Sequence, residues 1–329
     1  GEWIVSAFSP PKRYPVPGRP GLFSSYQWHP GMKDDVILRV SKSSLGDFGF
    51  CQQQSFIKRV LGIKSEETDA MIRGSNVHDS VERFYQNMSV SYAASMKSYG
   101  VENVLKYFME FVDEGDPKRG PYVLDEEQHL EKYMRIEAER FMNCEDVQFF
   151  LPLGNEISLD AVVTIEGQLV HLTGIVDRLF ADAEGVPHVH ELKTGIWKDH
   201  KPSKWANMRE EMAYYVYLLE ECNHEVVGGL RCERWGWDHT GGYASKEGEE
   251  LDAIWRGVEE VRQKDIDSMK DKLSLLVKTY NQYKGDLDGR AFAFFDFWRA
   301  QEVICEPWCD LKGYCPRYEK ILWPYPSEE

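Results

Sequence analysis

The spacing of apolar residues changes period several times along the chain, and each change marks a different kind of element. Between about Ser41 and Cys144, Val77, Val81, Phe84 and Tyr85 follow one helical stripe, and Leu130, Tyr133, Met134, Ile136 and Phe141 follow another. That spacing predicts a mostly helical region. Beyond it the apolar runs are short and rich in Val, Ile, Leu and Phe. Ile157 to Ile165, Leu169 to Ala181 and Pro187 to Lys193, parted by the turn signals Glu166-Gly167 and Glu184-Gly185, predict an antiparallel three-strand meander. Trp205 to Cys222 returns to helical spacing, and Val226 to Trp237 reads as a fourth strand with Trp235 and Trp237 on one face. Apolar positions from Leu251 and Ile254 through Leu276 and Tyr280 mark one long amphipathic helix, after which three cysteines crowd together. Ahead of all these, Pro10, Pro11, Pro15, Pro17, Pro20 and Pro30 make the opening an irregular arm. The expected divisions are an arm over 1–40, a helical region over 41–150, a core over 151–245, and a long helix with a cysteine tail over 246–329. The class is α/β (α+β).

Composition sets limits on this picture. With 42% hydrophobic and 29% charged residues, and 26 glycines among 329, the chain is an ordinary globular one, which excludes global disorder. No run approaches the roughly 18 apolar residues of a membrane helix, so no membrane partner is expected. The start, Gly1-Glu2-Trp3-Ile4-Val5, lacks a basic region followed by an apolar core. A cytoplasmic protein of a prokaryotic or virus-infected cell is expected. The formal net charge of −16 opposes a polyanionic partner at long range. The charge is uneven, however. From Lys193 to Arg209, Lys193, Lys198, Lys201, Lys204 and Arg209 are set against the single acid Asp199, with His200 among them. Two readings stand: a basic strip that contacts DNA, and a solvated lysine-rich loop.

The densest chemistry lies in the meander and the helix after it. Gly174-Ile175-Val176-Asp177-Arg178 is followed by His190-Glu191-Leu192-Lys193-Thr194-Gly195, and then by Glu211-Met212-Ala213-Tyr214-Tyr215. Side chains alternate along a strand, so Glu191 and Lys193 share a face, which Asp177 reaches from the neighbouring strand. Two carboxylates and an ammonium converge there, a set that suits phosphodiester hydrolysis. In-line attack by water needs a metal to lower the pKa of the water and to neutralise growing charge. Asp177 and Glu191 would hold Mg²⁺ or Mn²⁺, with the Leu192 carbonyl as a further ligand, because these cations take carboxylate, carbonyl and water oxygens. Lys193 would orient the nucleophile. His78, on a predicted helix with Glu82 one turn onward, reads either as an extra ligand or as a surface histidine. Asp160 on the first strand is a further candidate.

Seven cysteines is an odd number, and Cys305-x3-Cys309-x5-Cys315 reads as metal ligation in a reducing compartment. Three soft ligands lack the fourth that a tetrahedral site requires, and Cys51 is the candidate. Unliganded thiols are the alternative. Cys144, Cys222 and Cys232 read as ordinary buried cysteines.

Taken together, Gly74 to His78, Gly174 to Asp177, Glu191 to Gly195 and Glu211 to Tyr215 resemble the PD-(D/E)XK nuclease superfamily. The branch they resemble is the RecB-like one, with the iron-sulfur nucleases of CRISPR adaptation and the AddB-type helicase nucleases. The resemblance spans roughly Ser41 to Cys315. It implies a restriction-endonuclease-like core, a mixed central sheet flanked by helices. It also implies His78, Asp177 and Glu191 as metal ligands, Lys193 as the catalytic lysine, and Tyr215 as the tyrosine of the glutamine-x-x-x-tyrosine helix. Glu211 stands where that glutamine is usual, and a carboxylate cannot donate as an amide does. In the iron-sulfur branch, one cysteine before the core joins three after it around a [4Fe-4S] cluster. Cys51, Cys305, Cys309 and Cys315 would be those ligands here, with Zn²⁺ as the alternative. The first gap is three residues where two is common in the family.

The function implied is a metal-dependent DNA exonuclease acting on single strands or ends, in DNA repair, recombination, or CRISPR or viral DNA processing. Its candidate partners besides DNA are a helicase, a recombination protein or a CRISPR adaptation protein. Trp197, Trp205, Tyr214, Trp235 and Trp237 are candidate stacking positions, each also a core candidate. Two competing readings are a non-catalytic adaptor that binds DNA ends and an endonuclease or RNase on the same fold. The second competes because phosphodiester chemistry does not read sugar or sequence.

Overall fold

The structure is a computed structural model. It describes residues 14–15, 23–24, 38–112, 124–182, 184–196, 202–221, 226–227, 230–231, 235–243, 252–283, 292, 301–315 and 318. Two short strands, β1 (Tyr14–Pro15) and β2 (Phe23–Ser24), pair with each other. β3 (Leu38–Ser41) then leads directly into α1 (Lys42–Phe50). The junction is a capping box: Ser44 N donates to Ser41 Oγ at 3.2 Å, and Ser41 N donates to Ser44 Oγ at 2.6 Å. Five more helices complete the first half: α2 (Gln52–Ser55), α3 (Asp69–Asn87), α4 (Val90–Met96), α5 (Val101–Met109) and α6 (Leu124–Asn143). Thr68 caps α3 by accepting from Met71 N.

The predicted meander follows as β4 (Gly154–Ile165), β5 (Gln168–Ala181) and β6 (Pro187–Ile196). Glu166 and Gly167 both have positive φ, 51° and 73°, and pair Ile165 with Gln168 across a two-residue turn whose twist matches the strands. After β6 come α7 (Pro202–Glu221), the paired fragments β7 (Val226–Val227) and β8 (Leu230–Arg231), β9 (Gly236–Tyr243), β10 (Asp252–Glu260) and α8 (Gln263–Tyr283). The main sheet runs β10-β9-β6-β5-β3, with β4 on the other edge of β5. β3 with β5 and β6 with β9 are parallel pairs and the others antiparallel, so the sheet is mixed.

Three sequence expectations need correction. Leu38 to Val40, assigned to the arm, form a strand of the main sheet, where Leu38 and Val40 are buried. Val226 to Trp237 is not one strand: Val226–Val227 pairs with Leu230–Arg231, and the sheet strand begins at Gly236. The long helix predicted from Leu251 begins only at Gln263, because Asp252–Glu260 is β10, so the core sheet extends past residue 245. Ile254, Trp255 and Val258 suit either period. The tie is decided by β9, which offers β10 a ladder from Asp252↔Tyr243 to Glu260↔Gly236.

Two apolar clusters cover the sheet. One packs α1, α7 and α8 on strand residues such as Val170, Leu172 and Val176, and the other gathers α3, α5 and α6 around Phe150, Phe180 and Leu192. No helix among the described residues is long and apolar enough to cross a membrane.

The feature that positions the site is a fork in β5. β4 pairs with β5 from Gln168 to Leu179, which occupies one edge. The other edge is shared: β3 takes Val170 to Thr173 in parallel, and β6 takes Arg178 to Ala181 antiparallel. Residues 174–177 lie between them, and this gap holds both Gly174 and Asp177. Tyr214 of α7 ties the fork by donating to Thr173 O at 2.8 Å and Val40 O at 3.2 Å. Gly174 lets α7 come this close, since a Cβ there would meet Leu218 Cδ2 at 3.0 Å and Tyr215 Cε1 at 3.5 Å. We expect Gly174→Val to cost about 1–3 kcal/mol, the usual overpacking penalty, in urea unfolding, and Leu218→Ala to recover part of that loss in the double variant. Unchanged stability would mean that α7 does not need this contact.

Candidate active site

The site is assembled from four elements around the fork. Asp177 is nine-tenths buried at the end of the gap, and its Oδ2 accepts from Leu192 N at 3.1 Å, replacing a ladder bond that β6 does not make. His78 of α3 reaches the same point: its Nε2 is 2.9 Å from Leu192 O, and its Nδ1 is 3.7 Å from Asp177 Oδ2. A carbonyl only accepts, so Nε2 donates to Leu192 O and Nδ1 is the nitrogen that faces Asp177. This is how a metal-binding imidazole is oriented, with one nitrogen held by a backbone carbonyl and the other free to ligate. Leu192 O, expected as a metal ligand, is the acceptor that fixes the ring.

Glu191 and Lys193 share a face of β6, as alternation requires, with Lys193 Nζ 2.9 Å from Glu191 Oε1. Lys193 also donates to Glu211 Oε2 of α7 at 3.2 Å. A second ammonium occupies the same place. Lys42, the first residue of α1, has its Nζ 3.5 Å from both Glu191 Oε1 and Glu211 Oε2, and 5.3 Å above the ring of Tyr215. Two carboxylates and two ammoniums therefore alternate around one small patch. Glu211 cannot donate as an amide would, but here it accepts from cations that chain topology brings to it.

The charges follow from this packing. Burial acts to raise the pKa of Glu191, but Lys193 and Lys42 outweigh it and hold the carboxyl well below the usual range. Burial acts to lower the pKa of Lys42, and Glu191, Glu211 and Asp177 outweigh that, so it stays charged. Asp177 has no lysine in contact with it among the described residues: burial, then Glu191, push its pKa up against the weaker pull of His78 and Arg178. Burial, then Glu191 and Asp177, also push Tyr215 well above its usual value, which keeps its hydroxyl neutral.

Two comparisons bear on this geometry. A sequence model of the PD-(D/E)XK nuclease superfamily matches residues 39–316. The chain belongs to the PD-(D/E)XK nuclease superfamily. No curated protein matches significantly. Among solved structures, one titled "Crystal structure of SSO0001" is similar at 13% identity and a TM-score of 0.28, over 72% of this chain and 84% of that one.

Sequence reasoning missed two residues of this nuclease site. Lys42 was open to discovery, since the Ser41-x-x-Ser44 box puts it in the first turn of a helix. Glu156 was open to discovery too. A turn at Glu166-Gly167 pairs position 156 with position 177, and ligand atoms of His78, Glu156 and Asp177 lie within 4.8 Å of one another. Burial, then Asp177, push the carboxyl of Glu156 up to about 7.

Other expected residues are placed as follows. Arg209 is half-buried on α7; Lys198 and Lys201 lie outside the described residues, as do the side chains of Lys204 and Asp160. Trp205, Tyr214 and Trp235 are core residues, 7%, 1% and 4% exposed, which removes them as stacking platforms. Trp197 and the side chain of Trp237 lie outside the described residues.

A second centre lies at the far end of α1. Cys51, which follows that helix, lines a small hollow with Cys305, Cys309 and Cys315. None of the four is in a disulfide. Burial, then Cys309 and Cys51, push the Cys305 thiol up to about 11, against a weaker opposing pull from Lys312. Cys144 is half-buried and donates to Asp146 O, while Cys222 and Cys232 lie outside the described residues.

The charge arrangement predicts a pH dependence. Glu191 has a depressed folded pKa, so its stabilising contribution is complete above the unfolded value of about 4.3 and is lost as pH falls toward the folded one. Lys42→Met keeps the stem and removes a cation. It is expected to destabilise near pH 7 by less than the about 3–5 kcal/mol of a buried charge left wholly unpaired, because Lys193 remains. Melting curves should show this difference holding down to about pH 4 and shrinking below it toward about pH 2, where Glu191 protonates in the folded protein. A difference independent of pH would assign the effect of Lys42 to packing instead.

Proposed function

We propose that the chain is a metal-dependent DNA nuclease of the RecB-like kind, an exonuclease acting on single strands or ends. The observation that carries the reading is the meeting of Asp177, Glu191 and Lys193 at the β5 fork with His78 Nδ1 facing them. The donor set fits a hard divalent cation: the imidazole Nδ1 of His78, the buried carboxylate of Asp177, and Glu191 Oε2, which is buried with no hydrogen-bond partner. His78, Asp177 and Glu191 would hold Mg²⁺ or Mn²⁺. The bound cation would supply a water of lowered pKa and neutralise charge on the phosphorane oxygens.

The chain's own residues do the rest. Lys193 and Lys42 keep Glu191 ionised and place two ammoniums where the non-bridging oxygens of a phosphate approach. Glu211 holds both ammoniums from the other side, so they stay aimed at the cleft. Tyr215 supports this patch from beneath, with Lys42 over its ring. The exonuclease mode, the DNA substrate and a role in repair, recombination or CRISPR or viral DNA processing rest on the resemblance of the motifs.

The same proposal includes a [4Fe-4S] cluster on Cys51, Cys305, Cys309 and Cys315. Tetrahedral zinc, with Zn–S of about 2.3 Å, would draw four sulfurs to roughly 3.8 Å from one another. Among the described residues no three of these thiols lie within 4.8 Å of one another, a wider spread than zinc asks for. Its effect would be structural, since joining Cys51 to the tail closes a loop over most of the chain.

Two measurements test the proposal. Anaerobically purified protein should release short products from end-labelled DNA with Mg²⁺ or Mn²⁺ and none with EDTA. Lys193→Ala should slow this at least about 10²–10³-fold, with circular dichroism showing the variant still folded at the assay temperature. Binding of DNA ends without cleavage by the wild type would favour the adaptor reading, and cleavage of RNA alone the RNase one. Cys51→Ser should lose the visible absorption of an iron-sulfur cluster and melt lower, whereas retention of that absorption would remove Cys51 from the ligand set.

A further inference from the structure

The hairpin of β4 and β5 is regular except at one place. Asn155 pairs with Arg178 and Ile157 with Val176, so Glu156 stands directly opposite Asp177, yet no bridge forms there. Glu156 has φ of 48°, a left-handed conformation that a non-glycine residue rarely adopts within a strand. The result is a pair of carboxylates facing each other across a ladder, an arrangement that destabilises a sheet when both are charged. Arg178 pulls against this repulsion without cancelling it. Among the described residues no cation forms a salt bridge with Glu156, and its Oε1 is buried without a hydrogen-bond partner. The nearest buried cation, Arg178, has its guanidinium over the ring of Tyr85, and none of its nitrogens bonds to either acid.

Glu191 is in the opposite situation, already held by two lysines. The uncompensated charge of the site therefore lies on the Glu156 side of Asp177. There His78 joins the two acids, all three offering ligand atoms within 4.8 Å of one another. Cis and trans ligands of an octahedral cation with bonds of about 2.1 Å are roughly 3.0 and 4.2 Å apart, so a small contraction suffices.

We propose that Glu156 is a direct ligand of the divalent cation, so that strand β4 adds a third carboxylate to His78, Asp177 and Glu191 at one site. The inference rests on the nuclease reading of this site and names a ligand that the motifs do not contain. A cation there explains why the left-handed residue is an acid. The backbone turn at Glu156 aims its carboxylate across the ladder, and the like-charge repulsion in the metal-free protein becomes the drive to bind.

The test is calorimetric titration of the full chain with Mn²⁺ in the absence of nucleic acid, with melting curves in EDTA and in saturating Mn²⁺. Glu156→Gln is expected to weaken Mn²⁺ binding tenfold or more and to reduce the Mn²⁺-induced rise in Tm. In EDTA the same variant should melt at or above the wild-type temperature, because the repulsion across from Asp177 is gone. A structural carboxylate would behave in the opposite way, lowering the metal-free Tm and leaving affinity alone. Glu156→Asn, which accepts the left-handed conformation, provides a second variant with the same expectation. Wild-type Mn²⁺ affinity in both variants overturns the inference. If the wild type cuts DNA with Mn²⁺ and those affinities are unchanged, only the role of Glu156 fails. If the wild type neither binds Mn²⁺ nor cuts, the nuclease reading fails with it.

Discussion

One edge of β5 cannot be paired by two strands at once, and the rest of the site follows from that constraint. β3 uses the first part of the edge and β6 the last, so residues 174–177 are left between diverging neighbours. The opening lets a side chain do what backbone does elsewhere, with Asp177 receiving the Leu192 N–H. It also admits α7, whose Tyr214 bonds to carbonyls of both β3 and β5. A continuous ladder would have buried Asp177 against backbone with no room for a third group.

Charge in the cleft is divided unevenly between its two sides. On the β6 side, Glu191 and Glu211 share two lysines, and the group is close to neutral. On the β4 side, Asp177 and Glu156 face each other with His78 beside them and no lysine in contact among the described residues. A chain with net charge −16 thus keeps its cations at the place where a polyanion would need them. Lys42 is part of that placement, and it reaches the site because β3 lies parallel to β5 and delivers the first turn of α1 beside the fork.

Much of this was legible in the sequence where local patterns sufficed. Alternation put Glu191 and Lys193 on one face, turn chemistry marked the ends of β4, β5 and β6, and the helical stripes of α3 and α6 placed Val77, Val81, Tyr133 and Phe141 in a core. What failed depended on partners far along the chain. β10 carries apolar residues that suit a helix as well as a strand, and only the open edge of β9 decides between them. β3 is four residues at the end of a proline-rich segment, too short to declare itself without β5. Glu211 seemed a poor substitute for an amide until two lysines, one from the far end of the chain, were found beside it.

Helix α1 has a lysine at one tip and leads into a cysteine at the other. Its nine residues span about 13 Å at 1.5 Å each. Lys42 stands among the acids of the cleft, and Cys51 lies in the hollow closed by Cys305, Cys309 and Cys315. The helix is thus a short rigid link between the acidic cleft and the cysteine hollow, so a displacement at its cysteine end is carried along one hydrogen-bonded rod to the ammonium of Lys42.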